Sequence, residues 1–182
     1  KKKIAYPISV HLSSYLKKSR KDVFLPNAYS DLLRYNNSIP LYDSKGIDTL
    51  WETVFFPQDE MLEINFALKT IYAIMQSGGD ISVMKHLFVD RIDLCIYGNT
   101  KPFRIRIVNK INDNFDYFYV KHADASRVYG LELEDLLAPN RMRFLIHKET
   151  LIEEHVVGIP GEQFIRTRLN DIDLNKIRLT KE

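Results

Sequence analysis

The feature that most constrains this chain is a change of hydrophobic period near residue 80. Before it, Met61, Ile64, Leu68, Ile71 and Met75 recur at helical spacing, with Phe66, Tyr72 and Ala73 widening the stripe. After it, Ile92, Leu94 and Ile96 alternate with Asp93, Cys95 and Tyr97, and Phe103, Ile105 and Ile107 alternate with Arg104 and Arg106. Strict alternation puts one set of side chains on each face of a strand. One chain carrying both periods in separate blocks is an α+β protein.

The spacing predicts a helix over Gln58–Gln76 that starts after Pro57. Asp59, Glu60 and Glu63 lie near the positive end of its dipole. Ser77-Gly78-Gly79-Asp80 ends it and marks the expected boundary. Earlier, Ile8–Lys18 reads as a short helix, and Asn27 as a cap for a helix over Ala28–Tyr35. Asn36-Asn37-Ser38 and Pro40 end that element, and Asp43-Ser44-Lys45-Gly46 is a turn.

Beyond the boundary, the two alternating runs and Phe115–Val120 form three strands. They are joined by turns at Gly98-Asn99-Thr100 and Asn112-Asp113-Asn114. Short turns favour an antiparallel meander. A helix capped by Asp124 or Ser126 follows, with Tyr129, Leu133, Leu136 and Leu137 as its apolar stripe, and Ala138-Pro139-Asn140 ends it. Met142–His147 and Thr150–Val157 are two further strands, and Gly158-Ile159-Pro160-Gly161 is a loop. Residues 170–182 read as a polar helix. The expectation is therefore a helical region over 1–80, a five-stranded antiparallel sheet with one packed helix over 81–165, and a helical tail over 166–182.

The chain has 182 residues, 26 Lys+Arg against 24 Asp+Glu and a formal charge of +2. That near balance gives no global attraction to nucleic acid, so nucleic acid is possible but not favoured as a partner. One cysteine excludes an intramolecular disulfide framework and a multi-cysteine zinc site. Its mid-strand place suits a small packed residue better than a nucleophile. No apolar run approaches the ~18 residues of a membrane span, and the stretch after Lys1-Lys2-Lys3 is too interrupted for a signal peptide. An intracellular, cytoplasmic setting is the default expectation. His11, His86, His122, His147 and His155 show no zinc-helix spacing.

From residue 87 the order is three strands ending in Lys121, a helix, two strands and a Gly/Pro loop. With Tyr117-Phe118-Tyr119-Val120-Lys121, Glu132, and Leu151-Ile152-Glu153-Glu154-His155-Val156-Val157-Gly158, this resembles the N-terminal lobe of kinase-like phosphotransferases. The resemblance implies that Lys121 contacts the phosphates of ATP with Mg, that Glu132 orients it, and that Glu154, His155, Val156 and Val157 border adenine. On a helical wheel Glu132 flanks the apolar stripe, whereas Glu134 faces away. The Gly-x-Gly-x-x-Gly loop is absent, Tyr119 stands where the family has a small residue, and no His-Arg-Asp or Asp-Phe-Gly follows. What is implied is a nucleotide-facing half-site whose chemistry needs a second lobe or a partner protein. ATP-grasp ligases offer a fainter resemblance, in which Lys121 and Glu154 face one nucleotide.

The alternative is a non-catalytic interaction subunit. Lys101, Arg104, Arg106 and Lys110 lie on or beside one hairpin, and with Arg141 and Arg143 they can form a positive face suited to a partner in a larger assembly. Lys17, Lys18, Arg20 and Lys21 are a second basic cluster, at a helix end.

Overall fold

A computed structural model describes residues 4–98, 100–138, 141–159 and 161–169. The chain is α+β, as its periodicities require, but the antiparallel sheet has seven strands rather than five, in the order β1-β2-β3-β4-β5-β7-β6. The two additional strands are β1 (Asn37–Tyr42) and β2 (Asp48–Phe55). They form a hairpin closed by the Asp43-Ser44-Lys45-Gly46 turn. Asp43 Oδ1 accepts from the Lys45 and Ile47 amides at 2.8 Å each, and Gly46 supplies φ +75°.

The meander follows as β3 (Leu87–Cys95), β4 (Phe103–Asn109) and β5 (Phe115–His122), each antiparallel to the next. β6 (Phe144–His147) and β7 (Thr150–Glu154) form a hairpin, and β7 inserts between β5 and β6.

Helix α3 (Gln58–Ser77) covers one sheet face. Ile64, Leu68, Ile71 and Met75 are buried as the stripe requires, while Phe66 is exposed. Gly78, with φ +63°, closes the helix in the left-handed region. The stripe packs on Val54, Ile92, Leu94, Phe103, Ile105, Ile107, Phe118, Val120 and Ile152, which are the inward half of each alternating strand. Leu25, Tyr29 and Leu32 join the same cluster from the N-terminal segment. The core thus draws on residues either side of the glycine pair at 78–79.

A second cluster sits at the β6–β7 end of the opposite face. Val128 and Leu131 of α4 (Ala125–Leu137) pack there with Phe144, Ile146 and Leu151, and with Leu12 and Leu16 of α1 (Val10–Lys18). Asp124 caps α4, its side chain accepting from the Ser126 amide. The expected inward stripe of α4 is its outer one: Tyr129, Leu133, Leu136 and Leu137 are all exposed. Glu132 is buried on the inner side instead, its carboxylate satisfied by Tyr15 of α1 and by Lys21 just beyond that helix.

The expected Ala28–Tyr35 helix shortens to α2 (Tyr29–Leu32), and Asn27 does not cap it; Asp31 accepts the Ala28 amide at 2.8 Å instead. A 3-10 segment spans Ile81–His86, and α5 spans Gly161–Thr167. The helix expected over residues 170–182 lies outside the described residues. Among the described residues, no helix is long and apolar enough to cross a membrane.

Candidate functional site

Alternation places Trp51 and Thr53 of β2, Arg91 and Asp93 of β3, Arg104 and Arg106 of β4, and Tyr117, Tyr119 and Lys121 of β5 on the sheet face away from α3. Glu153 of β7 stands beside Tyr119 in register. α1 and α4 cover this face only at its β6–β7 end. Across β2–β5 its aromatic and basic side chains are half-buried, so they present one edge to solvent.

Two buried carboxylates organise the face. Asp93 is fully buried. It accepts from Thr53 Oγ1 at 2.9 Å, Arg91 Nε at 2.8 Å and Arg104 Nη2 at 2.9 Å. Glu153 is 2% exposed and takes Lys121 Nζ at 2.6 Å and a bidentate pair from Arg127 of α4 at 2.8 Å each. Burial raises the pKa of Glu153, but Arg127 and Lys121 outweigh it and hold the carboxyl below its ordinary range. A buried charge kept in this way needs its full set of partners.

The cations in turn occupy the aromatic rings. The Arg104 guanidinium lies 4.3 Å from the Trp51 ring centre and 5.2 Å from that of Tyr117. Arg106 lies 4.2 Å from the Phe115 centroid and pairs with Asp90 at 2.6 Å, and Lys121 lies 5.3 Å from that of Tyr119. Tyr119 Oη and His155 Nδ1 are 3.0 Å apart, and burial raises the Tyr119 pKa although Arg104 opposes it. Arg104, Arg106 and Lys121 are therefore each fixed by a carboxylate on one side and a ring on the other.

The expected pairing of Lys121 with Glu132 is not formed. Lys121 reaches Glu153 on the neighbouring strand, which register places diagonally across from it on the same face. Glu132 turns toward α1, where it accepts from Lys21 Nζ at 2.7 Å and Tyr15 Oη at 3.1 Å. Lys21 also reaches Asp135 at 2.8 Å; burial lowers its pKa, but the two carboxylates more than restore it. Lys21, from the basic cluster at the α1 end, is thus a structural tie.

Glu154 opposes Phe118 in register, so it points to the α3 face, opposite to Lys121; it holds Arg143 at 2.8 Å. The two cannot flank one nucleotide. His155 packs on Tyr117 and Tyr119, while Val156 and Val157 are exposed. Surface clefts of about 360 and 580 Å³ open beside His122 and Lys148, and none of Lys121, Glu132 or residues 154–157 lines either.

Of the basic residues expected on one face, Arg104 and Arg106 are there. Arg143 reaches the Met75 carbonyl at the end of α3 and belongs to the other side. Trp51, Asp93, Arg127 and Glu153 complete the site but carry no local motif. The Trp51-Glu52-Thr53-Val54-Phe55 alternation was the available signal for the first of them. Among the described residues no group of three or more His, Cys, Asp or Glu side chains could hold a metal. No family model, no curated protein and no solved structure matches this chain.

Proposed function

We propose that the chain is a non-catalytic binding module that docks an acidic segment of a partner protein on its open sheet face. The observation that carries this reading is the placement of Arg104, pinned between Trp51 and Tyr117 and locked by Asp93 at the centre of an uncovered face. Trp, Tyr and Arg are the residues that concentrate binding energy at protein interfaces. Holding them in place beforehand removes much of the ordering cost of association.

Charge selects the partner. On this face Arg91, Arg104, Arg106, Lys121 and Arg127 outnumber Asp90, Asp93 and Glu153, and Asp93 and Glu153 are buried beneath their cations. A partner therefore meets guanidinium edges, which match carboxylates. Single-stranded nucleic acid needs ring faces free for base stacking, and here the faces of Trp51, Tyr117, Phe115 and Tyr119 already carry cations. That favours a carboxylate-bearing peptide over an oligonucleotide.

Trp51 is the sole tryptophan and reports on the site directly. Titration with a synthetic Glu/Asp-rich peptide containing tyrosine is expected to change its emission saturably, with affinity falling as salt rises. Arg104→Glu or Arg106→Glu should weaken the peptide by about tenfold or more. Tighter binding of a single-stranded oligonucleotide than of the peptide would overturn the reading. So would a rise in melting temperature with MgATP that Lys121→Ala removes; that result would restore the kinase-like half-site.

A further inference from the structure

Two surface features lie apart from the docking face and hold nothing in the fold together. One is the outer stripe of α4, where Tyr129, Leu133, Leu136 and Leu137 are 57–75% exposed. Single exposed apolar residues are ordinary, but a contiguous stripe of four marks an interaction surface. The other is the basic end of α1. Lys21 is used by Glu132 and Asp135, whereas Lys17, Lys18 and Arg20 are exposed and carry no ion pair among the described residues. Residues 1–21 contain seven Lys and Arg and no Asp or Glu.

The fold brings these features onto one surface. The Tyr6 carbonyl accepts from the Ala125 amide, Tyr15 Oη donates to Glu132, and Lys21 reaches Glu132 and Asp135. α1 therefore runs alongside α4 in the same direction, and Lys17 and Lys18 come level with its C-terminal half. Leu12 and Leu16 turn one side of α1 to the sheet, as Val128 and Leu131 do for α4. At about 100° per residue, Lys17, Lys18, Leu133 and Leu137 fall on the opposite sides. The nearby acids do not cancel the cations. Glu132 is buried, Asp135 is held by Lys21 and Arg141, and Glu134 lies on the far flank beside Arg127.

An apolar strip edged by free cations matches an anionic lipid surface. The described clefts of about 240–580 Å³ open elsewhere, and none is lined by the four stripe residues. A folded partner places its anchors in pockets. A bilayer interface needs none: it takes apolar and tyrosine side chains at the acyl boundary and holds Lys and Arg at its headgroups. A second copy of the chain would instead bring the same three cations against their own kind. We infer that the α1–α4 surface docks peripherally on membranes rich in anionic phospholipid. Leu133, Leu136 and Leu137 enter the interface, and Lys17, Lys18 and Arg20 meet the headgroups.

The full chain is sedimented with vesicles of phosphatidylcholine alone or mixed with phosphatidylserine. It should bind the mixed vesicles at least about tenfold more tightly, less so as salt rises. Each cation is worth about fivefold at such a surface, so Lys17→Glu with Lys18→Glu should cost at least about tenfold. Leu133→Gln with Leu136→Gln should cost about as much. Should the leucine variant fail to fold, the lysine variant, at exposed positions, still decides. Arg104→Glu, on the docking face, should leave vesicle binding unchanged. The inference is overturned if mixed vesicles at millimolar lipid bind nothing, if phosphatidylcholine alone binds equally well, or if the lysine variant binds like wild type. It is also overturned if Arg104→Glu abolishes binding, or if the free chain is a dimer that Leu133→Gln with Leu136→Gln converts to a monomer.

Discussion

Glu153 shows how a single side chain ties this sheet to its helix. Its carboxylate joins β7 to Lys121 on β5 and to Arg127 on α4. Removing the charge leaves Lys121 and Arg127 without it, but Arg127 is 46% exposed and can be rehydrated. Glu153→Gln should therefore cost about 2–3 kcal/mol, below the roughly 3–5 kcal/mol of breaking a fully buried ion pair. The sign of its pH dependence follows from the depressed pKa. The stabilisation is complete above the ordinary glutamate value of 4.5 and is lost as pH falls through the lower folded value. The gap in denaturant midpoint between wild type and Glu153→Gln should narrow steadily below that pH. A gap that stays constant down to acid unfolding would show that the carboxylate is not held as described. Arg104→Lys tests the companion site: it keeps the charge but loses the planar fork to Asp93 and the stack on Trp51. A loss of about 1–2 kcal/mol with a changed Trp51 emission is expected.

At the scale of elements, what the sequence reveals depends on how much of an element's environment is local. The meander and α3 are legible because period and burial agree: every second residue of β4 faces α3, and the α3 stripe meets it. β1 and β2 are harder to read, because Asn36-Asn37-Ser38, Pro40 and the 43–46 turn suggest breaks, whereas tertiary pairing makes them the shoulders and tip of a hairpin. α4 misleads for a different reason. Its most apolar stripe points outward, and its inner face includes Glu132, which is tolerable there only because Lys21 and Tyr15 arrive from more than 100 residues away in sequence. The resemblance-based Lys121–Glu132 pairing fails on the same point: register, which no short motif encodes, sets Glu153 beside Lys121. The α4 assignment is directly testable. Leu131→Ala should cost about 2–5 kcal/mol, whereas Leu133→Gln and Leu136→Gln should each stay within about 0.5 kcal/mol. Urea midpoints that reverse this order would turn the helix over.

For the whole molecule, the decisive fact is that one core uses both halves of the chain. Ile64, Leu68 and Ile71 come from before the glycine pair, Phe103, Ile105, Phe118 and Ile152 from after it, and all belong to one buried cluster. β2 extends the same sheet through pairs such as Trp51 with Cys95. Neither half can bury its apolar face alone, since a single sheet face needs a covering layer. The full chain should therefore unfold in one transition, with Trp51 emission, which reports β2, and far-UV ellipticity, which reports all helices and strands, following one urea curve. A fragment beginning at residue 81 would expose the whole inner face of β3, β4, β5 and β7, and its amide spectrum should show the narrow dispersion of an unfolded or aggregating chain. Two separated transitions in the full protein, or a well-dispersed spectrum from that fragment, would mean that the contacts of α3 with the meander are dispensable. The outer face of the sheet would then have to be held in place by the second cluster alone, which touches only its β6–β7 end. In that arrangement Trp51 and Arg104 would lose their fixed positions, and acidic-peptide binding would weaken together with the α3 contacts. Because the ladder of rings and guanidiniums is the outer surface of the sheet whose inner surface is the core, a core substitution such as Leu68→Ala should reduce peptide affinity only under conditions where it also unfolds the chain.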